Sequence, residues 1–305
     1  MTTYTTTELQ EFIEDNRDKL NKQTLTTYRN DYKRFRTQMK DRKNIYNLSQ
    51  KEIIDVVKNT DFNKKALLNI AIVFLKWKNK EITRLIKYRT DLEEMRDEKQ
   101  AEKNKAQLEK SGASYEDLMK ALEISNGMDY ILFYLLIKLN TRNNDLIAKM
   151  ISKKEKDKLN IEDNFMVVSP SKVIYIRNDY KTHSTNGTKK DVIRDEKFVK
   201  IMNSEVGNRE YAFVNNKHKP YKQTEIGKFI KARFKSYKQL DLPPDTNISQ
   251  STIYKIIQHH QEKNGNIKAM KTMADNRGQN IETQLKFYSQ TDFNDKKAEE
   301  SDDEE

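Results

Sequence analysis

Hydrophobic residues recur at spacings of three and four through the first 84 residues, a pattern that predicts four short helices. The pattern is clearest between Leu25 and Met39, where Tyr28, Tyr32 and Phe35 share one helical face and basic residues fill the others. A fourth helix is predicted over about residues 63–79 from the spacing of its apolar residues. Residues 1–84 are therefore predicted to form a compact helical domain.

Helix-start signals support these boundaries. Thr5 with Glu8, and Ser49 with Glu52, have the spacing of a capping box, in which two side chains bind the free backbone N–H groups of a first turn. Residues 85–112 are highly charged with a weak helical pattern, and they are predicted to be a helical linker that ends in a break at Gly112.

The hydrophobic period changes twice after residue 113. Helical spacing predicts helices over Tyr115–Leu122, Met128–Leu139 (apolar on nearly all sides, hence central) and Asn144–Ser152. Alternating spacing then predicts strands over Phe165–Val168, Lys172–Ile176 and Asp191–Arg194. Helices resume at about 194–204, 222–238, 249–262, 266–274 and 280–288. The expected fold class is mainly α (α+β), with a mostly helical domain over 113–290 that contains one small antiparallel sheet.

Charge is distributed unevenly along the chain. The net charge of +11 is the balance of −6 in residues 291–305 and +17 in the rest. Such a positive excess favours a polyanionic partner, and a nucleic acid is the default candidate. A lysine-rich composition without that role is the alternative. The acidic segment is expected to be a disordered solubility tail, with a DNA mimic that covers the basic cleft as the second possibility.

Several classes of protein are disfavoured by composition. There is no cysteine, so disulfides and thiolate metal sites are excluded, and the four histidines lack zinc-site spacing. The longest apolar run, residues 130–137, is too short to cross a bilayer, and the polar N-terminus does not look like a signal peptide. We expect a soluble intracellular protein without membrane contact.

One tyrosine stands out by its position. Tyr288 ends a short helical run ten residues after Gly278, and the chain turns acidic just beyond it. Far upstream, Arg142 follows the long apolar helix, and Lys181 lies in the predicted strand-turn-strand. An arginine, a lysine and a tyrosine in these places suggest a phenol that attacks a DNA phosphate and not one that packs in a core.

The order of these elements and residues resembles the tyrosine recombinase (phage-integrase-like) family, over about residues 5–290. The lysine- and asparagine-rich composition, with Tyr-Lys-Thr in the hairpin, is similar to members from large DNA viruses of protists and their satellite viruses. The resemblance implies a core-binding domain (1–84) and a catalytic domain (113–290) that clamp double-stranded DNA. It also implies a homotetramer on DNA, a 3′-phosphotyrosyl intermediate and no cofactor. A viral member would act in a viral factory, the host nucleus or the cytoplasm.

Three site residues follow the family pattern. Arg142, in Arg-Asn-Asn-Asp-Leu, would place two N–H donors on the oxygens of the scissile phosphate. Lys181 would protonate the leaving 5′ oxygen, and Lys189 and Lys190 are the competing candidates. Tyr288 would be the nucleophile.

Other positions depart from the pattern. Counting back from the tyrosine, Thr252-x-x-Lys255 stands where the family has His-x-x-Arg, and Gln279 stands for the family's second histidine. A lysine lacks the planar fork of arginine, and neither threonine nor glutamine does acid-base work. Arg277, next to Gly278, is a possible substitute for the lost positive charge. His259 and His260 are interpreted as a surface pair.

Two other interpretations remain open. One is a recombinase-fold DNA-binding protein whose catalysis is weakened or lost. The other is an unrelated helical nucleic-acid-binding or virion protein. In both cases phosphate contacts alone would give salt-sensitive and weakly specific binding. For the recombinase, we expect most contacts to bases to come from the N-terminal helical unit and from the segment around 222–238.

Overall fold

The computed structural model describes residues 7–39, 43–97, 99–153, 162–180, 183–240, 242–243 and 246–288. The chain divides into two compact units, Met1–Glu98 and Lys99–Glu305. The division falls inside the charged segment that the sequence predicts as a linker. The charged segment contains two helices, and they belong to different units. The first helix contributes the buried Leu85 to the core of the first unit.

The first unit is a set of short helices, as its hydrophobic spacing predicts. They are α1 Thr7–Asn16, α2 Lys22–Gln38, α3 Gln50–Lys58, α4 Lys64–Trp77 and α5 Thr83–Asp97, with a 3-10 turn at Ile45–Asn47 before α3. The most apolar helix, α4, is central, because Phe74 stacks on Phe12 with ring centroids 4.5 Å apart and on Tyr32 at 5.0 Å.

One of the two predicted capping boxes is confirmed at the start of α3. The Glu52 N–H donates to Ser49 Oγ at 3.2 Å, and the Ser49 N–H donates to Glu52 Oε2 at 2.7 Å. Thr5 of the other pair lies outside the described residues. Its partner Glu8 is buried and accepts a hydrogen bond from Tyr32 Oη at 2.8 Å, so this carboxylate joins α1 to α2.

The second unit combines helices with a four-stranded sheet. Its helices are α6 Gln100–Ser111, α7 Tyr115–Ile124, α8 Gly127–Lys138, α9 His183–Asn186, α10 Glu196–Glu205, α11 Gln223–Ser236, α12 Gln250–Lys263, α13 Ile267–Asn276 and α14 Ile281–Tyr288. The strands β1 Ala148–Ser152, β2 Asn164–Ser169, β3 Lys172–Arg177 and β4 Lys189–Ile193 lie in the order β1-β2-β3-β4. The predicted central helix, α8, is buried on almost every side and packs against α7, α10 and α12. The mainly α fold class is confirmed.

The sheet differs from the prediction in one strand. The helix predicted over Asn144–Ser152 is wrong: the chain turns over residues 143–146, and Ala148–Ser152 forms β1, which pairs in parallel with β2. The sheet is therefore mixed, because β2–β3 and β3–β4 are antiparallel. A short apolar run fits either period, and here the free edge of β1 also bonds the segment at Ala212, whose N–H donates to Ala148 O at 3.0 Å.

No helix among the described residues is both long enough and apolar enough to cross a bilayer. The break predicted at Gly112 is confirmed, since this residue caps the C-terminus of α6 in the left-handed region with φ +59°. A Cβ atom there would lie 2.8 Å from Pro243 Cγ. Gly127 has a similar φ of +55°, but a Cβ atom would meet nothing within 4 Å.

This pair of glycines separates backbone strain from side-chain collision. We expect Gly127→Ala to lower the free energy of unfolding by about 1–2 kcal/mol, the cost of a left-handed non-glycine residue. Gly112→Ala should cost roughly 1–3 kcal/mol more, because the methyl group also displaces a proline ring. Urea unfolding of both variants measures the difference, and equal losses would contradict the collision.

Candidate active site

Tyr288 lies at the end of α14 and packs on a second tyrosine. Its ring makes an edge-to-face contact with Tyr254 of α12, with centroids 4.8 Å apart. The Tyr254 hydroxyl donates to Gln284 Oε1 at 2.8 Å and accepts from Gln279 Nε2 at 3.0 Å. Burial raises the pKa of Tyr254 well above its ordinary value. One phenol of the pair is therefore buried and fully hydrogen-bonded, whereas Tyr288 is half-buried.

Arg142 reaches this pair from the loop after α8. The helix ends at Lys138, and Asn140, two residues on, has the left-handed φ of +51° that often follows a helix end. The Arg142 N–H then donates to Asp145 Oδ2 at 3.0 Å. The side chain makes a long hydrogen bond from Nη2 to Gln279 Oε1 at 3.4 Å. Gln279 thus links Arg142 to Tyr254, and through it to Tyr288.

Arg277, at the C-terminal end of α13, brings a second guanidinium to the cluster. Its Cζ atom lies 3.9 Å from the ring centroid of Tyr254 and 5.2 Å from that of Tyr288. The side chain is only 4% exposed. Burial lowers the pKa of Arg142, and the positive charge of Arg277 lowers it further, so the two guanidinium groups lie within electrostatic reach of each other.

A buried arginine braces the loops that carry these two cations. Arg177 of β3 is 1% exposed, and it pairs with Asp145 at 3.4 Å and with Asp191 of β4 at 2.8 Å. Its Nη1 also donates to the backbone oxygen of Asn276 at 2.7 Å. Asp145 is the residue that bonds the Arg142 backbone, and Asn276 immediately precedes Arg277. One guanidinium therefore supports both loops.

The hairpin β3–β4 lies against the same turn. Asn186 Nδ2 donates to Gly278 O at 3.0 Å, and the ammonium of Lys189 donates to the backbone oxygen of Asp275. Burial lowers the pKa of Lys189, and the charges of Arg177 and Arg142 lower it further. Lys181, the lysine that the sequence favours, lies outside the described residues.

Thr252 and Lys255 of α12 are hydrogen-bonded to a glutamine of α6. The Lys255 ammonium donates to Gln107 Oε1 of α6, and Gln107 Nε2 donates to Thr252 Oγ1 at 3.3 Å. Successive residues of a helix are about 100° apart, so Tyr254 faces α14 while Lys255 faces α6. A role of Thr252 and Lys255 in the site stays a prediction.

Reasoning from the sequence missed Tyr254 and Arg177. The count back from Tyr288 assumes fixed lengths for the connections between α12, α13 and α14, and a shift of one residue exchanges Lys255 for Tyr254. The available signal for Arg177 was a charged residue at the end of an otherwise apolar strand pattern. His260, one of the two histidines interpreted as a surface pair, stacks on Tyr115 with centroids 3.8 Å apart.

The cluster has five side chains from three stretches of chain, namely Arg142, Tyr254, Arg277, Gln279 and Tyr288. Arg142, Gln279 and Tyr288 are half-buried, so the cluster reaches solvent on their side. It combines two cations, two phenols and one amide. Within the described residues, no group of three or more side chains is suited to hold a metal ion. The arrangement favours binding of an anion next to a phenol.

Comparison with known proteins gives a likeness in structure and none in sequence. No protein-family model matches this chain, and no curated protein matches it in sequence. Among solved structures, it is similar to one described as "Crystal structure of XerA recombinase", with a TM-score of 0.38 and 13% identity over 93% of each chain. At this identity and TM-score, the likeness gives no role to any residue.

We expect replacement of Arg177 to lower the stability of the folded protein strongly. Arg177→Met leaves the buried carboxylate of Asp145 and the partly buried carboxylate of Asp191 uncompensated, and the free energy of unfolding should fall by about 3–5 kcal/mol. The matched control is Arg209→Met, which removes a half-exposed pair with Glu205 at 2.7 Å and should cost about 1 kcal/mol or less.

The same variant should respond to pH. Burial already raises the pKa of Asp145, and loss of Arg177 raises it further in the folded state. A carboxyl group with a raised folded pKa favours the folded state at low pH and disfavours it as pH rises. The deficit of Arg177→Met should thus be smaller at pH 5 than at pH 8 by denaturant unfolding, and a pH-independent deficit would contradict the assignment.

Proposed function

We propose that this protein binds double-stranded DNA and cleaves one strand by attack of Tyr288 on a phosphodiester, as a site-specific recombinase or integrase does. The observation that carries the proposal is the meeting of Arg142, Gln279 and Tyr288. The first two are joined directly by a hydrogen bond across 137 positions of sequence, and Tyr254 connects them to Tyr288. All three are site residues that the sequence predicts.

Tyr288 is the better nucleophile of the two tyrosines. The Tyr254 hydroxyl already donates and accepts, its ring is buried, and its raised pKa opposes formation of a phenolate. In the described part of the chain, no hydrogen bond involves the hydroxyl of the half-buried Tyr288. A nucleophile must be accessible and free to lose its proton, and only Tyr288 meets both conditions.

The proposed reaction is an in-line transesterification. The Tyr288 Oη–P bond forms as the P–O5′ bond breaks, the phenol loses its proton, and the 5′ oxygen takes one up. Arg142 neutralises the phosphate oxygens with charge-assisted hydrogen bonds that strengthen as negative charge builds up. The phosphotyrosyl ester retains the free energy of the broken ester, so a 5′ hydroxyl can attack it in reverse without an external energy source. Strand exchange between two duplexes would require four protomers.

The charge distribution supports DNA as the substrate. On α2, the basic Arg29 and Lys33 are exposed while Tyr32 and Phe35 are buried, so this helix presents a basic face to solvent. On α11, lysines and an arginine are likewise exposed, namely Lys228, Lys231, Arg233 and Lys235. We propose that these two faces contact phosphates and bases, with affinity that falls steeply as salt increases.

Covalent trapping tests the nucleophile. A pool of nicked duplexes with randomised sequence at the cleavage position loses a short strand after cleavage, so an active enzyme stays attached to DNA. Wild-type protein should form the adduct, and Tyr288→Phe should reduce it to background because it lacks the attacking oxygen. Tyr221→Phe, a half-buried tyrosine that stacks on Phe229, is the matched control and should form the adduct normally.

Other results of this assay would change the conclusion. An adduct that persists in Tyr288→Phe would mean that another residue attacks. Retarded DNA without any adduct in the wild type would show a DNA-binding protein without this chemistry.

Lys189 is our proposed proton donor to the 5′ oxygen, with Lys181 as the competing residue. The lowered pKa of Lys189 and its position beside the Arg277 turn support it. Lys189→Met should slow cleavage by about 10²–10⁴-fold. Replacing the 5′ bridging oxygen by sulfur should restore the rate, because a thiolate leaves without protonation.

The comparison variants are Lys181→Met and Lys190→Met, measured with both leaving groups. If only Lys181→Met cleaves slowly, and the substrate with 5′ bridging sulfur restores its rate, Lys181 and not Lys189 is the proton donor. The wild-type rate with oxygen should also fall as pH rises through the lowered pKa of the donor, whereas the rate with sulfur should lack this decline.

A further inference from the structure

Arg277 is a buried cation that the fold does not neutralise. Within the described part of the chain it forms no ion pair, and its Nε and Nη1 atoms make no hydrogen bond. Arg142 has a similar deficit at Nη1. Buried donors without partners each cost about 1–3 kcal/mol, more when charged. Two such cations within electrostatic reach of each other therefore favour the binding of an anion.

We propose that Arg277 and Arg142 together bind one tetrahedral oxyanion, the scissile phosphate if the proposed function is correct. In this arrangement Arg277 supplies the second guanidinium from the turn after α13. Tyr254 of α12 is a positioning residue that holds Arg277 in place. The inference deepens the proposed function and rests on it for the identity of the phosphate.

Stacking explains how Arg277 stays available while it is held in place. A cation–π contact uses the face of the guanidinium, whereas the N–H donors lie in its plane. With the Arg277 Cζ atom 3.9 Å from the centroid of Tyr254, the face is occupied and the in-plane Nε and Nη1 donors remain. Each of these donors can form a charge-assisted hydrogen bond with an oxygen of an anion.

Tyr254 is itself fixed, and this gives it a positioning role. Its hydroxyl bonds Gln279 and Gln284, so its ring cannot turn away without breaking two hydrogen bonds. The aromatic ring thus sets the direction of the Arg277 fork, and Gln279 ties the same ring to Arg142. The two guanidinium groups are positioned relative to each other by one tyrosine and one amide.

The electrostatics of the site favour an anion between the two cations. The pKa of Arg142 is lowered first by burial and then by the charge of Arg277. Asp145, the carboxylate that opposes this effect on Arg142, is held by Arg177 and by the Arg142 backbone. An added oxyanion would relieve the repulsion and satisfy the free donors together.

Phosphate binding tests the inference without any need for cleavage. Protein with ¹⁵N-labelled arginine is titrated with inorganic phosphate, and the side-chain Nε–H signals of Arg142 and Arg277 are followed by NMR. Both signals should shift with one common dissociation constant. Arg277→Gln should weaken phosphate binding by at least about tenfold, since it removes charge-assisted hydrogen bonds. Arg194→Gln, at an exposed arginine after β4, should leave it unchanged.

Two more variants separate binding from structure. Arg277→Lys keeps the charge but loses the planar fork, and should bind phosphate with an affinity between those of the wild type and Arg277→Gln. Tyr254→Leu removes the stacking face and should weaken phosphate binding while Arg277 is still present. Backbone amide spectra establish that each variant is folded, and Arg277→Lys serves if Arg277→Gln does not fold.

The outcomes distinguish this inference from the proposed function. Phosphate affinity in Arg277→Gln and Arg277→Lys equal to that in Arg194→Gln, or a shift of the Arg142 signal alone, would overturn the paired site. If both arginine signals shift but the wild type forms no covalent adduct, the oxyanion site stands and the cleavage chemistry fails. If the adduct forms and Arg277→Gln cleaves as fast as Arg194→Gln, the chemistry stands and the role of Arg277 fails.

Discussion

The buried guanidinium of Arg177 is the interaction on which the geometry of the second unit depends. It binds carboxylates from the turn after α8 and from β4, and a carbonyl at the end of α13. A charge in this position would be costly if any of these partners were missing. Because it needs all of them, the sheet, the Arg142 loop and the Arg277 turn are held in one arrangement, and side chains distant in sequence meet reproducibly.

The cluster above this brace has a consistent chemical character. Cations and phenols meet at the ends of rigid helices, and the neutral Gln279 lies between them. An amide both donates and accepts, so it can bond the cation Arg142 on one side and the Tyr254 hydroxyl on the other. It does not titrate, however, which leaves proton transfer to a lysine or to solvent. In the proposed reaction, the site would stabilise a phosphate with fixed donors, and a separate group would carry out the acid-base step.

Much of the fold could be predicted because its signals are local. The capping box at Ser49 forms as predicted, since it needs only residues three positions apart. The buried helix α8 follows from its apolar composition. The segment from Ala148 to Ser152 was mistaken for helix because its partners, β2 and the segment at Ala212, come later in the chain, and short-range periodicity contains no information about such pairing.

By itself, the sequence determined the helices, the positive excess outside the last residues, and the ten-residue spacing that puts Tyr288 at the end of α14 after Gly278. Helical periodicity is a short-range property of the chain, and net charge is a sum over residues, so neither requires knowledge of the tertiary structure. Only the tertiary structure decided that Tyr254 packs on Tyr288 while Lys255 bonds Gln107, and that Arg177 joins the Arg142 loop to the end of α13. Neighbouring positions of a helix point in directions about 100° apart, and which one meets a partner depends on packing between helices.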